Sequence, residues 1–205
     1  MSNRNDGLMI VISGPSGSGK GTIIGEYLKT APPTFLSISA TTRTPREGEV
    51  NGKNYHFLSK EAFQEEIENG NMLEWANYCE NYYGTPKKPV YENLQNDRDV
   101  ILELDVVGAM NVKKNHPQGV YIFILPPSME ILKNRLSGRG TETADVVEKR
   151  LLAAKKEISF TPQYDYLIVN EDLPKAVDNL RAIIWAEKSK MSRAEEMINE
   201  VYIND

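Results

Sequence analysis

An α/β architecture, a parallel sheet flanked by helices, is what this sequence predicts, and three observations predict it. A short apolar run at residues 8–13 stops at Gly14 and passes through a glycine-rich turn into a helix-patterned stretch, the unit that opens a parallel sheet. Later apolar runs alternate with helix-like stretches along the rest of the chain. The chain has 205 residues, 40% hydrophobic and 26% charged. At roughly 150 residues per domain, that is one core with inserted segments.

Residues 8–13 are rich in Ile and Val without polar alternation, so they predict a strand buried on both faces and central in its sheet. A helix follows over 22–30, with Ile23, Ile24, Tyr27 and Leu28 at helical spacing, and ends ahead of Pro32 and Pro33. Further strands are expected at 35–38, 99–104, 119–125 and 166–169, and helices at 106–115 and 128–136. After Pro174 an amphipathic helix runs through Ala176, Leu180, Ile183, Ile184 and Ala186 and grows highly charged toward Asp205.

Two segments interrupt the alternation. Residues 39–89 hold a polar loop, alternating pieces at 54–57 and 72–78, and one helix at 60–69, capped by Ser59 and closed by Gly70. They predict an inserted small α+β subdomain. Residues 128–162 are helical on either side of Gly138-Arg139-Gly140 and predict a movable lid.

Composition narrows the chemistry. The longest apolar runs, 8–12 and 120–125, fall far short of the roughly 20 residues that cross a bilayer, so no membrane partner is expected. The polar start at residues 1–7 runs into a glycine-rich turn and not a cleavage site, which predicts a cytoplasmic protein. Cys79 is the only cysteine, so there is no intrachain disulfide and no cysteine zinc cluster. With His56 and His116 the only histidines, histidine-dependent catalysis has little to draw on. A net charge of -5 argues against a nucleic-acid partner held by a broad basic face, so any anionic ligand must meet local cations. The charged C-terminal helix fits either a solvated face or a homodimer contact.

The sharpest motif is Gly14-Pro15-Ser16-Gly17-Ser18-Gly19-Lys20-Gly21-Thr22, where a buried strand meets a helix, and it fits G-x-x-x-x-G-K. Glycines let consecutive N–H groups turn toward phosphate oxygens, the helix presents its positive end, and Lys20 adds a full charge. The general pattern places Ser or Thr directly after the lysine to meet magnesium. Here that place is Gly21, and the hydroxyl comes one residue later at Thr22. A dinucleotide fingerprint is excluded, because Gly17-x-Gly19 would need Gly or Ala at Thr22. The turn implies a nucleoside triphosphate and leaves ATPase, GTPase and kinase open, although no Asn-Lys-x-Asp stretch for a GTPase is present.

A second cluster follows. Arg43 and Arg46 stand three apart in a polar loop with Tyr55 soon after, and arginine pairs grip phosphate bidentately. Downstream come Glu74-Trp75-Ala76, Tyr83-Gly84-Thr85 and Glu103-Leu104-Asp105. A carboxylate at Glu74 can accept both adjacent donors of a guanine edge, N1–H and N2–H, and would repel the N1 acceptor of adenine. Taken singly, each arginine reads more readily as solvated loop charge and Glu74 more readily as a surface strand residue.

Taken in order, the stretches GPSGSGKGT, SATTRTPREGEVNGKNYHF, LEWA, NYYGTP, LELDVVG, FILPPS, RLSGRGTET, KRLLAA and LIVN resemble the guanylate kinase family over nearly the whole chain. The resemblance implies the fold of P-loop nucleoside monophosphate kinases and transfer of a phosphoryl group from ATP to GMP and also to dGMP, with Mg2+ accompanying ATP. It also implies a single unit over 1–205: a core of 1–38, 90–127 and 163–205, a GMP-binding subdomain of 39–89 and a lid of 128–162. Ser39 and Thr85 would reach the guanine edge beside Glu74, and Arg43, Arg46, Tyr55 and Tyr83 would hold the GMP phosphate. Asp105, with Glu103 nearby, would help fix the guanine and the magnesium water shell. Arg135, Arg139 and Arg150 would close on the transferring phosphates, Asn170 would lie near the adenine, and Thr22 would take the metal contact that Gly21 lacks. Two alternatives stay open: a catalytically silent interaction module of the same fold, and a kinase for AMP, UMP or dTMP.

Overall fold

The computed structural model describes residues 7–78, 80–138 and 144–193. In chain order the elements are β1 (Met9–Ser13), α1 (Lys20–Leu28), β2 (Thr34–Leu36), β3 (Ala40–Thr41), β4 (His56–Phe57), α2 (Lys60–Glu68), β5 (Met72–Tyr78) and β6 (Asn81–Pro86). They continue with α3 (Lys87–Gln95), β7 (Asp99–Glu103), α4 (Val106–Asn115), β8 (Val120–Leu125), α5 (Met129–Ser137), α6 (Ala144–Ile158), β9 (Tyr166–Val169) and α7 (Leu173–Lys188). The predicted helix 22–30 thus begins two residues earlier, and strand 35–38 is shorter and starts at Thr34. Arg139, the Gly140 end of the expected joint, and the charged end of the C-terminal helix at 194–205 lie outside the described residues.

Five strands form a parallel sheet in the order β2-β7-β1-β8-β9, so β1 is central as its apolar run predicts. Alternation along β1 decides where each side chain goes. Ile10 and Ile12 enter one core with Ile23, Ile24 and Tyr27 of α1 and Leu180 and Ile184 of α7. Met9 and Val11 enter the other with Val90 of α3 and Ala109 and Val112 of α4. Ile10, Val11 and Ile12 are fully buried, each contributing about 1.5–3 kcal/mol by leaving water.

A second sheet, in the order β4-β3-β6-β5, pairs β6 antiparallel with both neighbours. Phe63 of α2 fills its underside and stacks on Tyr82 at 5.5 Å. Ser59 caps α2 as expected by accepting from the Ala62 N–H, and Gly70 follows it at φ +68°. Neither β6 nor α3 announces itself in the sequence. The β6 stretch NYYGTP carries Gly and Pro, which read as a loop, and α3 opens on two lysines with Pro89 in its first turn, where proline is tolerated.

All five parallel strands end on one edge, where ligands bind in open α/β sheets. Gly14 follows β1, Glu103 ends β7 with Asp105 just beyond, and Asn170 follows β9.

Candidate active site

The turn after β1 is built for an anion. Gly17 and Gly19 have φ of +88° and +95°, which side chains disfavour, and a Cβ on Gly14 would sit 2.2 Å from the Ile124 carbonyl oxygen. Helices α2, α4, α5 and α7 each have a Ser or Asp side chain accepting from their first turn. Helix α1 has no side-chain cap and no acidic residue in its first turn. Its leading N–H groups and positive end are therefore left for a ligand.

Lys20 folds back over this turn, its Nζ donating to the Gly14 carbonyl at 2.6 Å and the Pro15 carbonyl at 3.3 Å. Burial holds its pKa below the ordinary lysine value, against the opposing pull of Glu103, Glu157 and Asp105. Glu103 and Glu157 are both shifted up by partial desolvation, and Lys20 draws each back. A cation short of solvent, held among the described residues by carbonyl dipoles and the field of nearby carboxylates, is poised for a stronger anion.

The turn lines a cleft of about 730 Å³ that Glu103, Arg135 and Asn170 also wall, a size suited to a nucleotide. Asn170 donates through Nδ2 to the Ser18 carbonyl at 2.7 Å. Arg135 donates to the same carbonyl at 3.3 Å and to the Asn170 carbonyl at 3.1 Å, so the α5 arginine rests against the turn. A Cβ at Gly19 would stand 2.2 Å from Asn170 Nδ2. Gly19→Ala should therefore push this brace away and strain the backbone by about 1–3 kcal/mol, read as a lower melting temperature together with weaker ATP binding.

Across the strand edge, Glu74 on β5 is 8% exposed and accepts from the Thr85 hydroxyl at 2.7 Å. Its Oε2 lies 3.0 Å, and Asp105 Oδ1 3.4 Å, from the position a Gly108 Cβ would take, which sets the two carboxyls side by side at the start of α4. Asp105 also caps that helix, accepting from the Gly108 N–H at 2.7 Å. Burial pushes Glu74 up to about 7, helped by Asp105 and resisted by Thr85.

Arg43 sits over the rings of Tyr55 and Phe57 at 5.5 and 5.9 Å, and Tyr55 meets Tyr83 edge to face at 6.2 Å. Arg43 pairs with Glu49, whose carboxylate also accepts from the Arg46 N–H at 2.8 Å. The Arg46 side chain is exposed.

The sequence-predicted residues thus fall into two groups. Residues 14–22, Glu103, Arg135 and Asn170 gather around the turn. Glu74, Thr85, Asp105, Arg43, Tyr55 and Tyr83 gather around the second sheet and the start of α4. Ser39 stands at the entry to β3, its carbonyl accepting from the His56 N–H, and Arg150 is partly buried on α6. Glu103 lies by Lys20 and Gly21 and not by Glu74, because it ends β7 directly beside the turn. Asn170 braces the turn from below through its side chain. Sequence reasoning missed Glu49, Glu157 and Gly108; for Glu49 the available signal was a carboxylate six residues from Arg43 in the same loop.

An anion cradle on the edge of a parallel sheet, opposite a cationic loop and a buried carboxylate, is the arrangement of the P-loop nucleotide kinases. The guanylate kinase family model matches residues 7–187. The guanylate kinase of Carboxydothermus hydrogenoformans is 52% identical over 91% of this chain and 92% of its own. That of Clostridioides difficile is 51% identical over 96% of each. A crystal structure of guanylate kinase from Anaplasma phagocytophilum superposes with a TM-score of 0.77 at 34% identity, covering 92% of this chain and 90% of that one. The chain belongs to the guanylate kinase family, and its enzyme class is nucleoside monophosphate kinase.

Proposed function

We propose that this chain transfers the γ-phosphoryl group of ATP directly to GMP, and to dGMP in the same way, releasing ADP. Family membership supports the reaction, and the observation that carries the acceptor's identity is Glu74, a buried carboxylate with Thr85 and Asp105 beside it. The acceptor phosphate oxygen is already anionic at neutral pH, so no general base is required. The protein's task is to align two polyanions in line and to keep water out. ATP would lie on residues 14–22 with its adenine toward Asn170. GMP would take Ser39, Glu74, Thr85 and Asp105 at the base and Arg43, Arg46, Tyr55 and Tyr83 at the phosphate. Arg135, Arg139 and Arg150 would offset the charge moving between them.

The proposal includes closure of the GMP-binding segment 39–89 and the lid 128–162 over the core segments 1–38, 90–127 and 163–205. It also includes Mg2+ with ATP. Glu103 Oε2 and Oε1 lie 3.6 and 3.8 Å from where a Gly21 Cβ would be, the place of the usual hydroxyl, and carboxylate oxygens suit a hard cation. Thr22, Glu103 and Asp105 would hold it there, in part through water. Bound magnesium would supply charge neutralisation on the phosphates.

The net charge of -5 supports small anionic substrates over a nucleic-acid partner, and metabolite substrates support a cytoplasmic setting. For the homodimer, the support is Trp185, 65% exposed on α7. A coupled assay of ADP formation with GMP, AMP, UMP and dTMP tests the whole. GMP is expected to lead the others by at least about a hundredfold in kcat/KM, as hydrogen-bonded discrimination of a base allows. Turnover of none would favour the silent module, and a different preferred acceptor the other kinase.

A further inference from the structure

The cationic loop contains a carboxylate where a phosphate-binding site should least tolerate one. Glu49 meets Arg43 end-on: Nη1 donates to Oε2 at 3.0 Å and Nη2 to Oε1 at 2.9 Å. The second Nη1 hydrogen goes to the Thr44 carbonyl at 2.8 Å. A guanidinium has five hydrogens, so the bonds to Glu49 and Thr44 leave two, on Nε and on the far side of Nη2, along one edge. That edge has the spacing that grips two oxygens of one phosphate. Tyr83 hydrogen-bonds the same guanidinium and would share the phosphate with it, and the Tyr55 and Phe57 rings fix its plane.

We infer that Glu49 is the positioning residue of the acceptor-phosphate site, taking up the end of Arg43 so that its Nε–Nη2 edge alone faces the GMP phosphate. Glu49 is tied into its own loop, its N–H donating to the Arg46 carbonyl at 3.0 Å and its Oε2 accepting from the Arg46 N–H at 2.8 Å. Both partners are mostly shielded, with side-chain exposures of 14% for Arg43 and 18% for Glu49. Arg43 holds the Glu49 carboxyl below its ordinary range, so the pair stays ionised through neutral pH. A carboxylate anchored this way orients the arginine and does not trade places with the substrate. Its negative charge is offset by the Arg46 side chain, which remains exposed.

The inference rests on placing the GMP phosphate in this loop, and the test separates the two. In Glu49→Ala, KM for GMP should rise about tenfold or more, the scale of a misdirected charged hydrogen bond. Turnover at saturation, KM for ATP and the inhibition constant of guanosine, which has no phosphate, should stay within about twofold. Glu49→Gln, keeping one acceptor for Arg43, should fall between; if the alanine variant loses its cooperative melt, the glutamine variant carries the same readouts. An unchanged or lower KM for GMP would mean that Glu49 only occupies the arginine fork, and a parallel rise for guanosine would mean a general loosening; either overturns the inference. If the unsubstituted chain fails to phosphorylate GMP, it is the placement of the substrate that fails.

Discussion

Lys20→Met is expected to lower kcat by about three orders of magnitude while the fold stays intact, because it removes the one full positive charge set into the phosphate turn. The methylene stem is replaced nearly atom for atom, so the packing at the start of α1 is kept. What is lost is an ammonium that already lacks solvent and leans on two carbonyls at 2.6 and 3.3 Å. In its place the phosphates would face Glu103, Glu157 and Asp105 with less to offset them. Lys20→Arg should restore little, since a planar fork does not fit a site shaped for a compact charge. The sign of the pH effect follows from burial. Lys20 loses its proton at lower pH than an ordinary lysine, so ATP affinity should fall on the alkaline side as that proton leaves, and bound phosphate should resist the loss. Stopped-flow turnover, a thermal melt and guanosine inhibition together check it; turnover above a tenth of the parent value would remove Lys20 from the mechanism.

The ATP side was legible in the sequence because its information is local. A strand, a turn and a helix contiguous over residues 8–30 dictate glycine positions, lysine and helix end together. Core strands were legible for the same reason, being continuous apolar runs that both faces of a parallel sheet demand. The second sheet was much less so. Its strands β3 and β4 are two residues each, and β6 is held by pairing with β3 and β5, which no local pattern reveals. The pairing of Glu49 with Arg43 also lies beyond composition or periodicity, since Glu47 is nearer to Arg43 in sequence and it is the loop's fold, with Gly48 at φ +82°, that presents Glu49 instead. Glu103 and Asp105 show the limit most clearly. Both act on Lys20, yet Glu103 ends a strand beside Gly21 while Asp105 caps a helix beside Glu74, a division that two residues of sequence do not announce.

Glu74→Gln is expected to reduce the preference for GMP over AMP by about ten- to a hundredfold, the 1.5–3 kcal/mol carried by a hydrogen bond to a charged group, with ATP affinity unchanged. The amide keeps one acceptor for guanine but turns two hydrogens toward the other ring donor. Toward adenine the same amide is complementary, offering a donor to N1 and an acceptor to the N6 amino group. The parent carboxyl adds a pH signature. Its folded value of about 7 stands above the ordinary 4.5, so the folded, empty protein holds a proton that the unfolded chain has released between those values. Stability should therefore decline as pH rises through this window, by up to about 3 kcal/mol, and Glu74→Gln should abolish that slope and melt higher than the parent at pH 8. Guanine donors favour the ionised form, so binding at pH 6 must expel the proton, and affinity should weaken as pH falls below 7. The phosphate of GMP also titrates near pH 6, so guanosine is the probe that isolates the carboxyl. Its inhibition constant should rise with acidity in the parent and stay flat in the variant. A parent profile flat from pH 5.5 to 8 would show that the buried carboxyl does not read the base.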